Sequence, residues 1–207
     1  MIELPEITIC TVGTESYREQ MQNALDYSCR EIKFGDVKNI IIEIKDFNDW
    51  NRFVVFDLDY HIDTKFALVV HPDGFVVHPE CWRDEFMEYD YIGSPWPIPN
   101  DDYSYRDING VLQRVGNAVS LRSKKVLGLP KHLNMEWKPF HGLWHEDGYI
   151  AVNMRHLFEE NGCKYAPLEV AKYFGREYEV PENRDVDKTF VFHKHFGRNS
   201  IYPNFET

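Results

Sequence analysis

The chain has 207 residues and a formal net charge of −11, with 43% hydrophobic and 15% aromatic residues. That apolar content is ample for a packed core and excludes global disorder. The acidic balance excludes a general nucleic-acid binder, which needs a net basic face to neutralise phosphates, while leaving room for a small basic pocket.

Ile7 to Val12 forms a β-rich run that stops at Gly13 and predicts a buried first strand. Tyr17, Met21, Ala24, Leu25 and Ser28 recur at helical spacing, predicting a helix over 16–31 with Ser16 as its N-cap. Val37 to Ile44 is β-branched and predicts a second strand. Strand, helix and strand make a βαβ unit, hence a parallel sheet.

Residues 47–62 read two ways. Trp50, Phe53, Val54 and Leu58 share a helical face, yet Phe53 to Phe56 also suits a strand. Phe66 to Val70 predicts a buried strand ended by a Pro72-Asp73-Gly74 turn. Pro79 opens a short helix, and Tyr89 to Gly93 is a short strand broken by Pro95, Pro97 and Pro99. Residues 94–114, rich in Pro, Asn, Asp and Ser, predict a long loop, and a loop of that length suggests a mobile flap over a binding pocket. A strand follows from Val115 to Leu121, helices over 145–160 and from Pro167 to Phe174, and a last strand from Thr189 to His193. No repeat or linker interrupts the chain. It reads as one domain over 1–207, with a core over about 7–195 and a polar tail.

The cysteines, Cys10, Cys29, Cys81 and Cys163, include no C-x-x-C pair, so neither a disulfide framework nor a zinc ribbon is expected. There is no signal-peptide pattern at Met1 to Glu6 and no run of about 18 apolar residues. The expected setting is cytoplasmic, with peripheral membrane association compatible. The phosphate-binding P-loop, the dinucleotide G-x-G-x-x-G, the G-x-S-x-G elbow and H-E-x-x-H are all absent from the sequence.

The chemistry-bearing candidates are mainly acids at strand ends. Asp73 directly follows an apolar strand, and ligands gather at the carboxyl ends of strands in open α/β sheets. A carboxylate there can hold Mg²⁺ or Mn²⁺, or Asp-Gly simply makes a turn. Asp57-Leu58-Asp59 is a literal D-x-D, a metal candidate on a strand end and a solvated edge on a helix. His141 and His145 stand four apart, ahead of Glu146 and Asp147. They are compatible with a metal-dependent hydrolase, or with a loop followed by a helix whose first turn is acidic. His193 and His195 alternate with Lys194. Arg122, Lys124 and Lys125 form the main basic cluster, a phosphate site or, by default, a solvated helix face.

Five ordered segments bear a wider resemblance. They are His71-Pro72-Asp73-Gly74-Phe75; Trp82 to Phe86 with Tyr89-Asp90-Tyr91-Ile92-Gly93-Ser94-Pro95-Trp96; Val115-Gly116-Asn117 with Ser120-Leu121-Arg122-Ser123; Glu146-Asp147; and Tyr165-Ala166-Pro167-Leu168-Glu169. From about residue 7 to 195 the chain resembles an uncharacterised glycosyltransferase-like family, a domain of unknown function of the GT-A type. That family shows Q-x-D-G-F, Y-D-Y-I-G-A-P-W, G-N-G-G-F-S-L-R-S, E-D, F-A-P-E and F-x-F-H. The chain departs from it in Gly116-Asn117-Ala118-Val119, which is one residue shorter than the glycine run, and in His71, which replaces Gln.

The resemblance implies a single α/β/α domain with a mainly parallel central sheet. It implies metal-assisted transfer of a sugar from a nucleotide sugar, foremost a UDP-sugar, to a hydroxyl on a glycan, lipid-linked glycan or protein. Asp73 and His193 match metal ligands for Mn²⁺ or Mg²⁺. Asp147 and Glu146 match the acids that supply a catalytic base in an inverting reaction. Donor or substrate contacts are implied at Thr11, Asp73, Gly74 and Trp96, at Gly116, Asn117, Ser120 and Arg122, and at Lys194. The match favours a helix over Asp57 and Asp59 and so removes them from the site. The altered glycine run favours an alternative, a catalytically silent sugar-nucleotide or glycan-binding module on the same fold.

Overall fold

The computed structural model describes residues 1–139 and 142–193. Its central sheet has the order β2-β1-β3-β5-β4. β1 (Ile2–Gly13) pairs in parallel with β2 (Ile32–Ile41) on one side and β3 (Phe66–Val69) on the other. β5 (Val115–Ser123) runs antiparallel to both β3 and β4 (Tyr91–Pro95). Every strand but β5 therefore points the same way, and the sheet is mainly parallel as expected. The β1–β2 register shifts between Leu4 and Thr8. A Cβ on Gly35 would sit 2.1 Å from the Pro5 carbonyl oxygen, so only glycine lets the strands close there.

Alternation along the strands splits the core into layers. Ile7 and Ile9 of β1, with Leu68 and Val70, pack with Ala24 and Leu25 and with Val170, Ala171 and Phe174. These come from α1 (Arg18–Ser28) and α6 (Leu168–Phe174). Cys10 and Val12 point to the other face with Ala67 and Val69, and meet Trp50, Val54 and Leu127. Those belong to α2 (Phe47–Phe56) and α3 (Lys124–His132). Both faces of β1 are covered, so every residue from Ile7 to Gly13 is buried, Thr8 and Thr11 included.

Residues 47–62 resolve as helix. Asp46 caps α2 by accepting from the Asp49 N–H at 2.9 Å, and a 3₁₀ turn spans Leu58–His61. Asp57 and Asp59 pair with Lys131 and Lys124, each at 2.8 Å, as edge ion pairs. Ser16 is not the cap of α1. It lies inside a 3₁₀ turn, Glu15–Tyr17, with its hydroxyl bonded to that of Thr14 at 2.8 Å.

The 145–160 segment is α4 (Glu146–Gly148), a π-helical stretch Tyr149–Asn153, and α5 (Arg155–Glu160). β6 (Gly175–Arg176) and β7 (Val191–Phe192) pair in parallel as a small second sheet, shorter than the strand expected over 189–193. Among the described residues, no helix is long and apolar enough to cross a membrane, and the four cysteines are free.

Candidate functional site

β1 and β3 end on the same edge of the sheet, and a cleft of about 610 Å³ opens there. Its walls come from Val12, Gly13 and Thr14 at the end of β1, Tyr17 and Gln20 beside α1, and Phe47 and Trp50 of α2. His71 and Asp73 after β3, Ala118 of β5 and His193 after β7 complete it. Trp50 is pinned by donating its indole N–H to the Val12 carbonyl at 2.9 Å. Phe47 stacks on Trp50, and Trp50 packs on His71, with ring centroids 5.7 and 5.4 Å apart. The helical reading of 47–62 thus builds an aromatic wall that sequence reasoning did not assign to the site.

The turn after β3 is tight. His71 N–H donates to the Gly74 carbonyl at 2.7 Å and Gly74 N–H returns to the His71 carbonyl at 3.1 Å. Gly74 is required because a Cβ there would lie 2.6 Å from Val119 and 2.7 Å from the His193 ring. The turn carries Asp73 out over His193, with Asp73 Oδ1 and His193 Nε2 3.6 Å apart. On the other side of the ring, Nδ1 lies 3.4 Å from Glu177 Oε1.

The charges follow from this packing. Burial opposes a charge on His193, but Asp73 and Glu177 outweigh it and raise the imidazole to about 10. Burial and the charge of His193 push His71 down to about 3, so this ring is neutral. Burial works against the Asp73 carboxylate too, yet His193 holds it below its ordinary value.

Beneath the cleft, Arg122 is wholly buried and donates to Glu146 at 3.0 Å. Burial outweighs the pull of Arg122 and raises Glu146 to about 8. Asp147 is half-buried and raised as well, by burial first and by the negative charge of Glu177, against the pull of His145.

The expected site residues divide accordingly. Asp73 and His193 come together on the cleft wall. Thr11 is buried one residue short of the wall, and Gly74 lies under His193. Trp96 and Gly116 do not line the cleft. The Trp96 ring instead covers Gly116, where a Cβ would fall 1.9 Å from it. Asn117 and Ser120 are buried. Asn117 donates its amide to Glu177 at 2.6 Å, and Ser120 accepts from Arg122 at 2.9 Å.

Lys124 and Lys125 are exposed at the start of α3, as the solvated helix face expected, but Arg122 departs from both readings of the basic cluster. It is neither a solvated side chain nor, at 0% exposure, a group that reaches a donor. Glu146, at 1% exposure, is likewise sealed, and Asp147 is partly exposed, but neither acid is among the residues that line the cleft. Lys194, His141 and His195 lie outside the described residues.

The 94–114 loop is a second correction. None of its residues lines this cleft. Trp96 stacks on Tyr105 at 4.7 Å, and Arg114 donates to both carboxylate oxygens of Glu182 and to the Trp96 carbonyl. The loop borders a larger groove of about 960 Å³ beside α3 and α5, which contains none of the expected site residues.

A divalent cation fits the donor chemistry there in a restricted sense. An oxygen and an imidazole nitrogen 3.6 Å apart suit one ion bound at roughly 2.1 Å from each, with the ion displacing the proton of the His193 imidazolium. Among the described residues no three His, Cys, Asp or Glu side chains are grouped to hold a metal by themselves. Two protein ligands with the rest from water and phosphate is the usual arrangement for Mg²⁺ on a nucleotide.

Residues 42–193 match the family described as "Protein of unknown function (DUF5672)". The chain belongs to this family. The matched span is narrower than the 7–195 expected and leaves β1, α1 and β2 outside it. No curated protein matches the sequence. Among solved structures, the chain is similar in fold to a glycosyltransferase involved in the glycosylation of the major capsid of PBCV-1. The TM-score is 0.57 at 12% identity, over 90% of this chain and 91% of that one. At that identity the likeness carries the fold, a glycosyltransferase-like α/β domain, for this member of the DUF5672 family.

Proposed function

We propose that this protein is a glycosyltransferase of the GT-A type that moves a sugar from a nucleotide-sugar donor, foremost a UDP-sugar, to a hydroxyl acceptor on a glycan, lipid-linked glycan or protein. The observation that carries the reading is the pairing of Asp73 with His193 on the wall of a cleft at the carboxyl ends of β1 and β3. Asp73 and His193 would hold Mn²⁺ or Mg²⁺, which when bound offsets the charge that develops on the leaving diphosphate. The aromatic wall of Phe47, Trp50 and His71 excludes water from one side of the donor.

In an inverting reaction Asp147 takes the proton from the acceptor hydroxyl. The acceptor oxygen bonds to the sugar's anomeric carbon as that carbon's bond to the diphosphate oxygen breaks, and the diphosphate leaves with the electron pair. The raised pKa of Asp147 suits a base, since a carboxylate held too acidic accepts protons poorly. Glu146 acts from beneath by fixing Arg122. Four free thiols support a reducing, cytoplasmic setting.

The second reading is a silent sugar-nucleotide or glycan-binding module. Ala118 favours it, because a side chain lines the cleft where the family pattern has glycine. Titrating UDP, GDP and their sugars with and without Mn²⁺, while following donor turnover, separates the two. Metal-dependent binding with turnover supports the transferase, and binding without turnover supports the module. No nucleotide binding in either condition overturns the transferase and the sugar-nucleotide form of the module.

A further inference from the structure

Glu177 entered neither the sequence reading nor the roles assigned above. It follows β6 directly, where Gly175 pairs with Val191 and Arg176 with Phe192. The parallel register therefore sets Glu177 beside His193, and the His193 N–H donating to the Arg176 carbonyl at 2.9 Å locks that step. The side chain is 9% exposed and spans two partners: Oε1 lies 3.4 Å from His193 Nδ1, and Oε2 accepts from the Asn117 amide at 2.6 Å. Asn117 is itself fixed. Its φ is +127°, its side-chain oxygen accepts from the Val119 N–H at 2.9 Å, and its carbonyl accepts from the Tyr91 hydroxyl at 2.9 Å.

We infer that Glu177 is the positioning residue for His193: anchored by Asn117, it holds the imidazole by Nδ1 and so presents Nε2 to Asp73 and to a cation bound there. A metal-binding histidine is commonly oriented by a carboxylate on its other nitrogen, and loss of such a partner typically weakens metal binding by about 10- to 100-fold. The anchoring also assigns a purpose to the strained Asn117. Its amide must point at Glu177, which a glycine in that place cannot do. The inference rests on the proposed metal-assisted reading of the cleft.

The test is Mn²⁺ affinity by electron paramagnetic resonance in the presence of UDP, on the full chain, with thermal melts to confirm folding. Glu177→Gln is nearly isosteric, but a carboxamide offers one oxygen where two acceptors are needed. Affinity should fall about 10-fold or more. In Glu177→Gln/Asn117→Asp the amide and the carboxylate trade places. The oxygen facing His193 is kept, the bond between the two side chains reverses, and the acceptor for Val119 remains. Most of the lost affinity should return, a recovery that a merely space-filling role cannot produce. If the unaltered protein binds no Mn²⁺ with UDP, the metal reading falls and this inference with it. If the unaltered protein binds and Glu177→Gln binds equally well, only this inference is overturned. A loss that the exchange does not recover also overturns it.

Discussion

Arg122 Nη2 donates to Glu146 Oε2 over 3.0 Å, with the guanidinium at 0% and the carboxyl at 1% exposure. Arg122 leaves β5 and Glu146 opens α4, so the contact ties the helical region after residue 145 to the sheet. Arg122 also donates to Ser120, while its Nη1 and Glu146 Oε1 are buried with no protein partner. Removing one member leaves the other stranded. Arg122→Leu should cost about 3–5 kcal/mol, the usual penalty for a buried pair that loses one partner. Arg122→Leu/Glu146→Leu should cost less than the single change, because no polar group is then stranded. Urea unfolding of both variants checks this, and a double variant weaker than the single one contradicts it.

Glu146 also gives stability a pH dependence. Its carboxyl is raised from 4.5 to about 8, by burial first, with Asp147 adding to the shift and Arg122 opposing it. An acid with a higher pKa in the folded state binds its proton more tightly there. Its contribution is complete below the ordinary value and is lost as pH rises through about 8. Stability measured by denaturant should therefore decline from about pH 4.5 to about pH 8 and level off above it. Glu146→Gln mimics the protonated form and should flatten that decline while costing little at pH 6. An unchanged slope in the variant assigns the dependence elsewhere.

Gly116 and Trp96 make a third test. A Cβ on Gly116 would lie 1.9 Å from the indole, and one on Gly93 2.2 Å from the Gly116 carbonyl oxygen. The indole is buried and stacked on Tyr105, so it has nowhere to retreat. Gly116→Ala should destabilise by roughly 1–3 kcal/mol through overpacking, with a shifted tryptophan fluorescence. Gly148→Ala, whose Cβ would meet nothing nearer than 4.0 Å at a helical φ of −63°, provides the comparison and should show neither the fluorescence change nor the loss of stability.

What the sequence reveals and hides follows from how far each signal reaches. β1, β3 and α6 are legible because their apolar runs and the proline before α6 are local. α2 is ambiguous because Phe53 to Phe56 is apolar at every position, and only the Asp46 cap and the packing of Trp50 on Val12 decide it. Arg122 reads as a surface residue because its partner lies 24 positions away. Glu177 gives no signal at all: it sits in a polar stretch, and only the β6–β7 register brings it to His193. Asp73 and His193 are legible as a pair only through the resemblance. The loop misleads because its composition suggests mobility, whereas Asp107 accepts from the Asn109 and Val111 N–H groups and Arg114 pairs with Glu182.

The last prediction separates the roles of Asp73, His193 and Asp147. Asp73 and His193 stand 3.6 Å apart on the cleft wall, so both serve binding of metal and donor. Asp73→Asn and His193→Ala should each abolish or strongly weaken Mn²⁺-dependent UDP binding; Asp73 is 55% exposed, so its variant keeps the fold, while the His193 side chain is 19% exposed and a thermal melt checks that its variant remains folded. Asp147 does not line the cleft; it feels the opposing charges of Glu177 and Arg122, and its Oδ1 accepts from the Gly148 N–H at 2.7 Å. That bond lowers its basicity and burial raises it, and burial is the larger effect. Asp147→Asn should leave UDP and Mn²⁺ affinity unchanged and lower kcat by roughly 10²–10⁴, the range for loss of a general base. A base must be unprotonated to act, so kcat should fall as pH drops through the pKa of Asp147. Because that pKa is raised, the fall should begin above the ordinary carboxylate range, and it should be missing from the residual activity of Asp147→Asn. An Asp147→Asn protein with full turnover removes Asp147 as the base, whatever the outcome for Asp73 and His193.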